Sequence, residues 1–123
     1  MKLDIEGLKS RNVNSFPTIE RSLRSLNSYG PRSYAILTKD NGDFIQVAGG
    51  GVTCIVEMKT KNTEILRSYL YKKKVPFEGY QIISCGAGEI NAKPEEILFI
   101  DDAIKIFKNF FNNYKMSNEV KWK

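Results

Sequence analysis

The sequence predicts an α+β fold in which an antiparallel sheet (a meander) packs with an N-terminal and a C-terminal helix, in a single domain covering residues 1–123. Apolar residues recur with helical spacing near both ends of the chain and with a period of two between them. The segments that join the apolar runs are short, which favours antiparallel strands because parallel strands need long crossovers. A chain of 123 residues is long enough for one core.

The N-terminal part of the chain predicts one strand and one helix. Met1–Ile5 is predicted to be an edge strand. Ile19, Leu23 and Leu26 then recur at positions that one face of a helix would present. The Gly30-Pro31 pair ends this helix, since glycine favours a helix end and proline cannot continue one.

Four strands are predicted in the middle of the chain, at Tyr34–Leu37, Phe44–Ala48, Val52–Met58 and Glu64–Tyr71. An Asn-Gly pair at positions 41–42 predicts a tight hairpin turn between the first two strands. Three consecutive glycines at positions 49–51 predict a turn or bulge before the third strand. Alternation places one set of third-strand side chains on a common face, namely Val52, Cys54, Val56 and Met58.

The C-terminal part predicts a strand at Tyr80–Ser84, a bend at 86–88, a short apolar strand at 97–100 and a helix from Asp101 to Tyr114. Asp101 or Asp102 is expected to cap that helix, where a negative charge also interacts well with the helix dipole. An apolar stripe runs along the helix through Ile104, Phe107, Phe111 and Tyr114, widened by Ala103 and Phe110. We interpret the stripe, together with Trp122, as part of the core.

Composition narrows the function classes. Nineteen Lys and Arg side chains against 14 Asp and Glu give a net charge of +5, and basic proteins often bind nucleic acid or acidic partners. The chain has no histidine, which removes the most common general base and zinc ligand. No cofactor or metal is expected. Two cysteines outside any CxxC motif, Cys54 and Cys85, suggest buried reduced thiols, although the sequence leaves a disulfide between them open.

Two further patterns offer little chemistry. The glycine-rich segments at 49–51 and 85–89 superficially resemble phosphate-binding loops, but neither leads directly into a predicted helix, so we interpret them as turns. Catalysis by carboxylates would need Glu57 and Glu89 to converge in a cleft. We therefore expect no enzymatic activity.

Cationic and aromatic residues alternate around the end of the fourth strand, which is typical of a binding surface. Arg67, Tyr69 and Tyr71 share one side of this strand, opposite Leu66, Ser68 and Leu70. Three lysines follow, and the complete candidate site consists of Arg67, Tyr69, Tyr71, Lys72, Lys73, Lys74, Glu78 and Tyr80. Such residues suit a protein interface, and they equally suit stacking with bases and neutralising phosphates. An exposed sheet face followed by a solvated lysine turn is the simpler alternative.

Several segments, in order, resemble a known family. They are Phe44–Gly49 (FIQVAG), a strand ending at Val56-Glu57, Ser84–Glu89 (SCGAGE), a helix with the pattern Asp-Ala-Ile-x-Ile-Phe-x-x-Phe, and the terminal Val120-x-Trp122. This ordered set, which extends from Tyr34 to Trp122, is similar to the type-one immunity-protein family of bacterial polymorphic toxin and contact-dependent growth inhibition systems.

The resemblance implies an α+β protein without enzymatic activity that binds a cognate toxin C-terminal domain, often a nuclease or deaminase, and blocks its active site or substrate path. The family pattern carries over to Gln46, Glu57, Gly86, Gly88, Glu89, Phe107, Phe110 and Trp122, most of which we expect to serve the fold. One departure is the basic net charge, because a protector against a basic nuclease is usually expected to be acidic.

The leading hypothesis is thus a cytoplasmic immunity protein whose partner is a protein, with no membrane, nucleic acid or small-molecule substrate. The charged N-terminal residues lack the apolar segment of a signal peptide, which supports the cytoplasmic expectation. The alternative is a small basic nucleic-acid-binding domain that uses the same cationic and aromatic residues. Replacing Tyr71 and Lys73 with alanine is expected to weaken toxin neutralisation while leaving the fold intact.

Overall fold

The computed structural model of the protein describes residues 1–123. Ten strands are present: β1 Lys2–Ile5, β2 Arg11–Asn12, β3 Tyr34–Thr38, β4 Phe44–Gly50, β5 Thr53–Lys59, β6 Leu66–Leu70, β7 Gln81–Cys85, β8 Gly88–Ala92, β9 Leu98–Phe99 and β10 Val120–Trp122. The two α-helices are α1, Phe16–Arg24, and α2, Ile100–Asn112. A single turn of 3-10 helix, Pro94–Glu96, precedes β9.

All strand pairs are antiparallel, and the main sheet has the order β10-β6-β5-β4-β3-β1-β2, with β9 paired to β5 and a separate β7-β8 hairpin. The predicted α+β fold, with a sheet that accompanies an N-terminal and a C-terminal helix, is confirmed. Strands β3 to β6 are consecutive neighbours, as a meander requires.

Both ends of the sheet differ from the prediction. β1 is not an edge strand, because the two-residue β2 pairs with its outer side. At the opposite end β10 returns to pair with β6, and the backbone of Arg67 exchanges two hydrogen bonds with that of Lys123, at 2.8 and 3.0 Å.

β8, in the separate hairpin, was not predicted at all. Its sequence, Gly-Glu-Ile-Asn-Ala, lacks apolar alternation, and it forms a strand because a tight turn holds it against β7.

The main core lies between one face of the sheet and the two helices. Ile19 and Leu23 of α1 and Phe107 of α2 are fully buried against Val47 and Val56 of the sheet. The predicted apolar stripe of α2 is confirmed for Ala103, Ile104, Phe107 and Phe110, and Phe111 and Trp122 pack half-buried against the same core. Tyr114, however, lies beyond the end of α2 and is exposed, because the helix ends where Asn113 adopts a left-handed conformation.

A second, smaller core lies on the other face of the sheet. Ile55 points away from the helices and is buried beneath the β7-β8 hairpin, together with Val75, Ile83, Ala92 and Ile97. β5 is therefore covered on both faces in this part. The prediction for Val52 was wrong, because it precedes β5 in the glycine turn and is 70% exposed.

In the triple glycine turn, Gly50 is required by its close packing against Leu26. Gly50 has a φ of +136°, and a Cβ placed on it would lie 2.7–2.8 Å from the Cβ and backbone atoms of Leu26. An L-amino acid with a side chain fits neither the dihedral angle nor the space. The turn therefore brings the end of β4 against the segment that follows α1.

The start of α2 is stabilised by Asp102 in a different way from the one predicted. The helix begins at Ile100 after the N-cap residue Phe99, and Asp102 accepts a 3.0 Å hydrogen bond from the Phe99 backbone N–H. Neither aspartate occupies the N-cap position, but both lie in the first turn, where their charge favours the helix dipole. Neither α-helix is both long and apolar enough to cross a membrane.

Both cysteines are free. Cys54 is fully buried in the main core, and burial raises the pKa of its thiol to about 12. Cys85 is half-buried at the end of β7. The expectation of a buried, reduced thiol is thus confirmed for Cys54, whereas Cys85 retains access to solvent.

Candidate partner-binding groove

Arg67 and Tyr69 point to the face of the sheet opposite the helices, as strand alternation predicts. Gln46, Glu57 and Arg67 lie directly opposite one another on three neighbouring strands. Gln46 Nε2 donates a 3.0 Å hydrogen bond to Glu57, and Arg67 Nη2 lies 3.1 Å from the second oxygen of the same carboxylate. A row of paired polar side chains therefore crosses this face.

Arg67 is bound on two further sides. Its Nη1 donates hydrogen bonds to the carboxylate of Glu96, at 3.2 Å, and to the backbone carbonyl of Asn91, at 2.9 Å. With two carboxylates and a carbonyl as acceptors, its side chain is only 24% exposed. The cation holds β6, β8 and the 3-10 turn together, so most of its hydrogen-bonding capacity is already used within the protein.

Glu96 connects this network to the last residue. It is buried, and it accepts hydrogen bonds from Lys123 Nζ at 2.9 Å and from the backbone N–H of Lys93 at 3.0 Å. Burial acts to raise the pKa of Glu96, but the hydrogen bonds from Lys123, Lys93 and Arg67 outweigh it and hold the pKa below its ordinary value. Lys123 Nζ also lies 4.9 Å from the ring centroid of Tyr69, which is half-buried. Tyr69 is consequently covered by a cation of its own chain.

Beyond β6 the chain forms a groove that contains the predicted lysine run. We call it the lysine groove, and it is lined by Leu70, Tyr71, Lys72, Lys73, Lys74 and Glu119. Its volume is about 390 Å³. One side of the groove lies where the chain leaves the paired strands β6 and β10. There the Tyr71 backbone N–H donates a 3.1 Å hydrogen bond to the Glu119 carbonyl. Leu70 is buried and forms the floor.

The lysines of the groove differ in their partners. Lys73 forms an ion pair with Glu78 and donates a 3.1 Å hydrogen bond to the Phe77 carbonyl, which closes the loop on itself. Lys74 Nζ lies 2.5 Å from the carboxylate of Asp102 at the start of α2. Lys72 forms no ion pair. It is therefore the lysine of the groove that no carboxylate contacts directly, although Glu119 also lines the groove.

The structure thus brings together four of the eight predicted site residues, Tyr71 to Lys74. Tyr71 is 85% exposed, and Lys72 beside it is exposed and forms no ion pair. Arg67 and Tyr69 lie on the same strand but belong to the internal network. Tyr80 is 67% exposed and lies outside the groove lining, as does Glu78, so the predicted site is divided into separate parts.

Sequence reasoning missed an apolar cavity of about 320 Å³ between the open sheet face and the β7-β8 hairpin. Tyr34, Ile36, Ala48 and Ile90 contribute most of its apolar wall, and Glu57 lies at its side. Glu89 does not line it, so the two carboxylates considered for catalysis do not share this cavity. The signal in the sequence was the apolar character of both faces of β3.

Most positions that match the immunity-protein pattern have structural contacts. Gln46 and Glu57 belong to the polar row, and Phe107 and Phe110 are core residues. The Gly86 backbone N–H donates a 2.6 Å hydrogen bond to the buried hydroxyl of Ser33, which in turn donates to Glu6 at 2.6 Å. No protein-family model matches the chain, and no curated protein matches its sequence.

Proposed function

We propose that this protein is a cytoplasmic immunity protein that binds a cognate bacterial toxin domain, a nuclease or a deaminase, and neutralises it without covalent chemistry by covering its active site or substrate path. The observation that carries the proposal is the exposure of Tyr71, beside Lys72, directly after the end of β6 and next to the buried Leu70. The ordered sequence pattern from Tyr34 to Trp122 supports the same function.

The position of Tyr71 suits an interface anchor. Tyrosine is enriched among the residues that dominate binding energy, because it buries a large apolar ring and offers a hydroxyl to a partner. Its backbone N–H donates to the carbonyl of Glu119, the residue before β10, so little backbone ordering is required on binding. Burial of one exposed tyrosine in a partner pocket would contribute about 2–3 kcal/mol.

The charges of the groove indicate what the partner should present. Lys72 forms no ion pair, although Glu119 lines the same groove, whereas Lys73 and Lys74 are partly neutralised by Glu78 and Asp102. A carboxylate of the toxin opposite Lys72 would give this lysine an ion-pair partner as well. We therefore expect a locally acidic patch on the toxin, and an association rate that falls moderately as ionic strength rises.

The test begins with the reading frame next to the gene of this protein. A large secreted protein with a variable C-terminal domain encoded directly upstream is the expected toxin. Co-expression of that C-terminal domain with the wild-type protein should restore growth of the host cells. If the toxin domain remains equally toxic, the proposed function is wrong.

The groove is tested with the double variant Tyr71→Ala, Lys72→Ala. We expect its affinity for the toxin domain to fall by about 100-fold, because an anchor and a charge are lost together. A matched control is Tyr114→Ala, Lys115→Ala, which removes the same residue types from an exposed site outside the groove. Equal affinities of the two variants would place the interface elsewhere on the surface.

Binding of single-stranded nucleic acid is the second candidate function, and the aromatic and lysine side chains that share the groove favour it. This function predicts an affinity for single-stranded RNA that decreases steeply with salt and with the Tyr71→Ala, Lys72→Ala variant. The compensated charges of Lys73 and Lys74 favour a protein partner instead.

A further inference from the structure

A third cavity, at the opposite end of the sheet from the lysine groove, is lined by cationic side chains without any acidic one. We call it the cationic cleft. It lies between β1, the segment that joins β1 to β2, and α1, and it has a volume of about 320 Å³. Four cations line it, Lys9, Arg11, Arg21 and Arg32, and no Asp or Glu does.

None of these four side chains forms an ion pair within the protein. Other cations of the chain behave differently, since Arg24 and Arg67 each contact two carboxylates. All four residues are exposed, but they line one concave surface, and like charges on such a surface repel each other. The arrangement therefore creates a positive potential that an external anion would stabilise.

The remaining lining suits hydrogen bonding to such an anion. Arg11 Nη2 donates a 3.1 Å hydrogen bond to Ser22 Oγ, which orients the guanidinium across α1 while its other N–H groups stay free. The hydroxyls of Ser22 and Ser25 on the same wall donate to backbone carbonyls of α1. The donors left for an anion are therefore those of the cations and of Thr18, which shares a 3.3 Å contact with Ser15 Oγ. Guanidinium groups bind phosphate through paired N–H donors, which makes arginine the preferred residue for phosphate recognition.

The floor of the cleft is apolar. Leu3 and Ile5 are buried beneath it, and Leu8 stands exposed at its side. Small-molecule sites usually combine an apolar surface with a few converging polar groups, in volumes of about 300–1,000 Å³. A nucleic-acid backbone is instead followed by cations spread along an extended surface. Four cations around one pocket with an apolar floor fit a compact anion better.

We propose that the cationic cleft binds a phosphorylated small molecule with at least two negative charges, of the nucleoside diphosphate class. The phosphates lie among Arg11, Arg21 and Arg32, and the ring system packs against Leu8. This site is separate from the lysine groove, and the proposal does not depend on the identity of the partner protein.

Isothermal titration calorimetry with adenosine diphosphate, pyrophosphate and adenosine tests the proposal on the full chain. We expect both phosphate compounds to bind and adenosine not to bind, with an affinity that falls between about 50 and about 200 mM NaCl. The variant Arg21→Ala, Arg32→Ala should weaken binding by more than about tenfold, since two phosphate contacts are lost. Because neither side chain has an internal ion-pair partner, we expect this variant to keep the wild-type melting temperature.

The control Lys61→Ala, Lys115→Ala removes the same net charge from exposed positions outside the cleft and should bind like the wild type. Tyr71→Ala, Lys72→Ala should also leave binding unchanged. The proposal is overturned if neither phosphate compound binds, or if the lysine control weakens binding as much as the arginine variant. Binding of a single-stranded oligonucleotide that Arg21→Ala, Arg32→Ala weakens and that neither phosphate compound displaces would likewise overturn it, in favour of a nucleic-acid surface in the cleft.

Discussion

Arg67 Nη1 lies 3.2 Å from a carboxylate oxygen of Glu96, and this ion pair joins the middle of β6 to the 3-10 turn that precedes β9. The carboxylate is buried, and Lys123 reaches its other oxygen at 2.9 Å. One acidic side chain therefore holds two cations from separate parts of the chain. Arg67, which the sequence suggests as a contact residue, also joins strands of the open sheet face through these pairs.

Replacing Glu96 with glutamine should lower the free energy of unfolding by about 2 kcal/mol at neutral pH, because Arg67 and Lys123 lose the charge that compensates theirs. Urea denaturation of the wild type and the variant measures the difference. Glu64→Gln is the matched control, since Glu64 is exposed and forms no ion pair. A loss as small as that of the control would contradict the structural role.

The same variant has a defined pH dependence. The pKa of Glu96 in the folded protein lies below its ordinary value of 4.5, so its stabilising contribution is complete above that pH. As the pH falls through the folded-state pKa, the contribution is lost. The stability difference between the wild type and Glu96→Gln should therefore shrink below about pH 4.5. If the stability difference stays constant down to about pH 3, roughly 1.5 units below the ordinary pKa, the ionised carboxylate of Glu96 does not stabilise the folded protein.

Two fully buried serines should respond in opposite ways to replacement by alanine. Ser33 Oγ accepts a 2.6 Å hydrogen bond from Gly86 N–H and donates one to Glu6, whereas Ser68 Oγ has no hydrogen-bond partner. Ser33→Ala should destabilise the fold by about 2 kcal/mol, and Ser68→Ala should be neutral or stabilising by about 1 kcal/mol. Thermal unfolding of the two variants gives the comparison, and equal losses at both sites would refute it.

Gly50 and Gly42 form a matched pair for testing the glycine turn. Both have positive φ, but a Cβ at Gly50 meets the backbone of Leu26, while one at Gly42 meets nothing within 4 Å. Gly42→Ala should cost about 1 kcal/mol for the dihedral angle alone. Gly50→Ala adds steric overlap with a backbone that cannot move freely, so we expect a loss of about 3 kcal/mol. Chemical denaturation should rank the two variants in this order, and similar losses would show that Leu26 moves without cost.

The two thiols should differ in reactivity. Cys85 is half-buried and should react with a maleimide reagent in the folded protein, whereas Cys54 should react only after unfolding. Mass spectrometry of labelled peptides distinguishes the two sites. Rapid labelling of Cys54 under native conditions would contradict its burial in the main core.

Cys54 also predicts a loss of stability at alkaline pH. Its folded pKa of about 12 lies above the ordinary value of 9.0, so above pH 9 the unfolded chain releases a proton that the folded protein retains. Stability then falls by up to about 1.4 kcal/mol per pH unit. In Cys54→Ala this contribution is absent. The difference in unfolding free energy between the wild type and Cys54→Ala should therefore be smaller at pH 10 than at pH 8. These pH values lie roughly one unit above and below the ordinary thiol pKa.

The sequence by itself determined the periodic parts of the fold. Helical and alternating spacing placed α1, the strands β3 to β6, and the buried stripe of α2, because the repeat of side chains along a helix or strand is a local property. The same alternation correctly oriented Arg67 and Tyr69 on the open face of the sheet. It could not indicate that Arg67 would form ion pairs with Glu57 and Glu96, or that Lys123 would lie over the ring of Tyr69.

Only the tertiary structure decided which side chains meet. β8 carries little strand signal of its own and is a strand because β7 is held beside it, whereas the Val-Lys-Trp alternation of β10 suits a strand but does not indicate its partner β6. The three lysines line a groove because the pairing of β10 with β6 places Glu119 beside them. Arg21 and Arg32 face one cleft although eleven positions separate them, because α1 returns the chain to β1 and β3. Long-range pairing of this kind depends on the packing of whole elements, and no local pattern of residues encodes it.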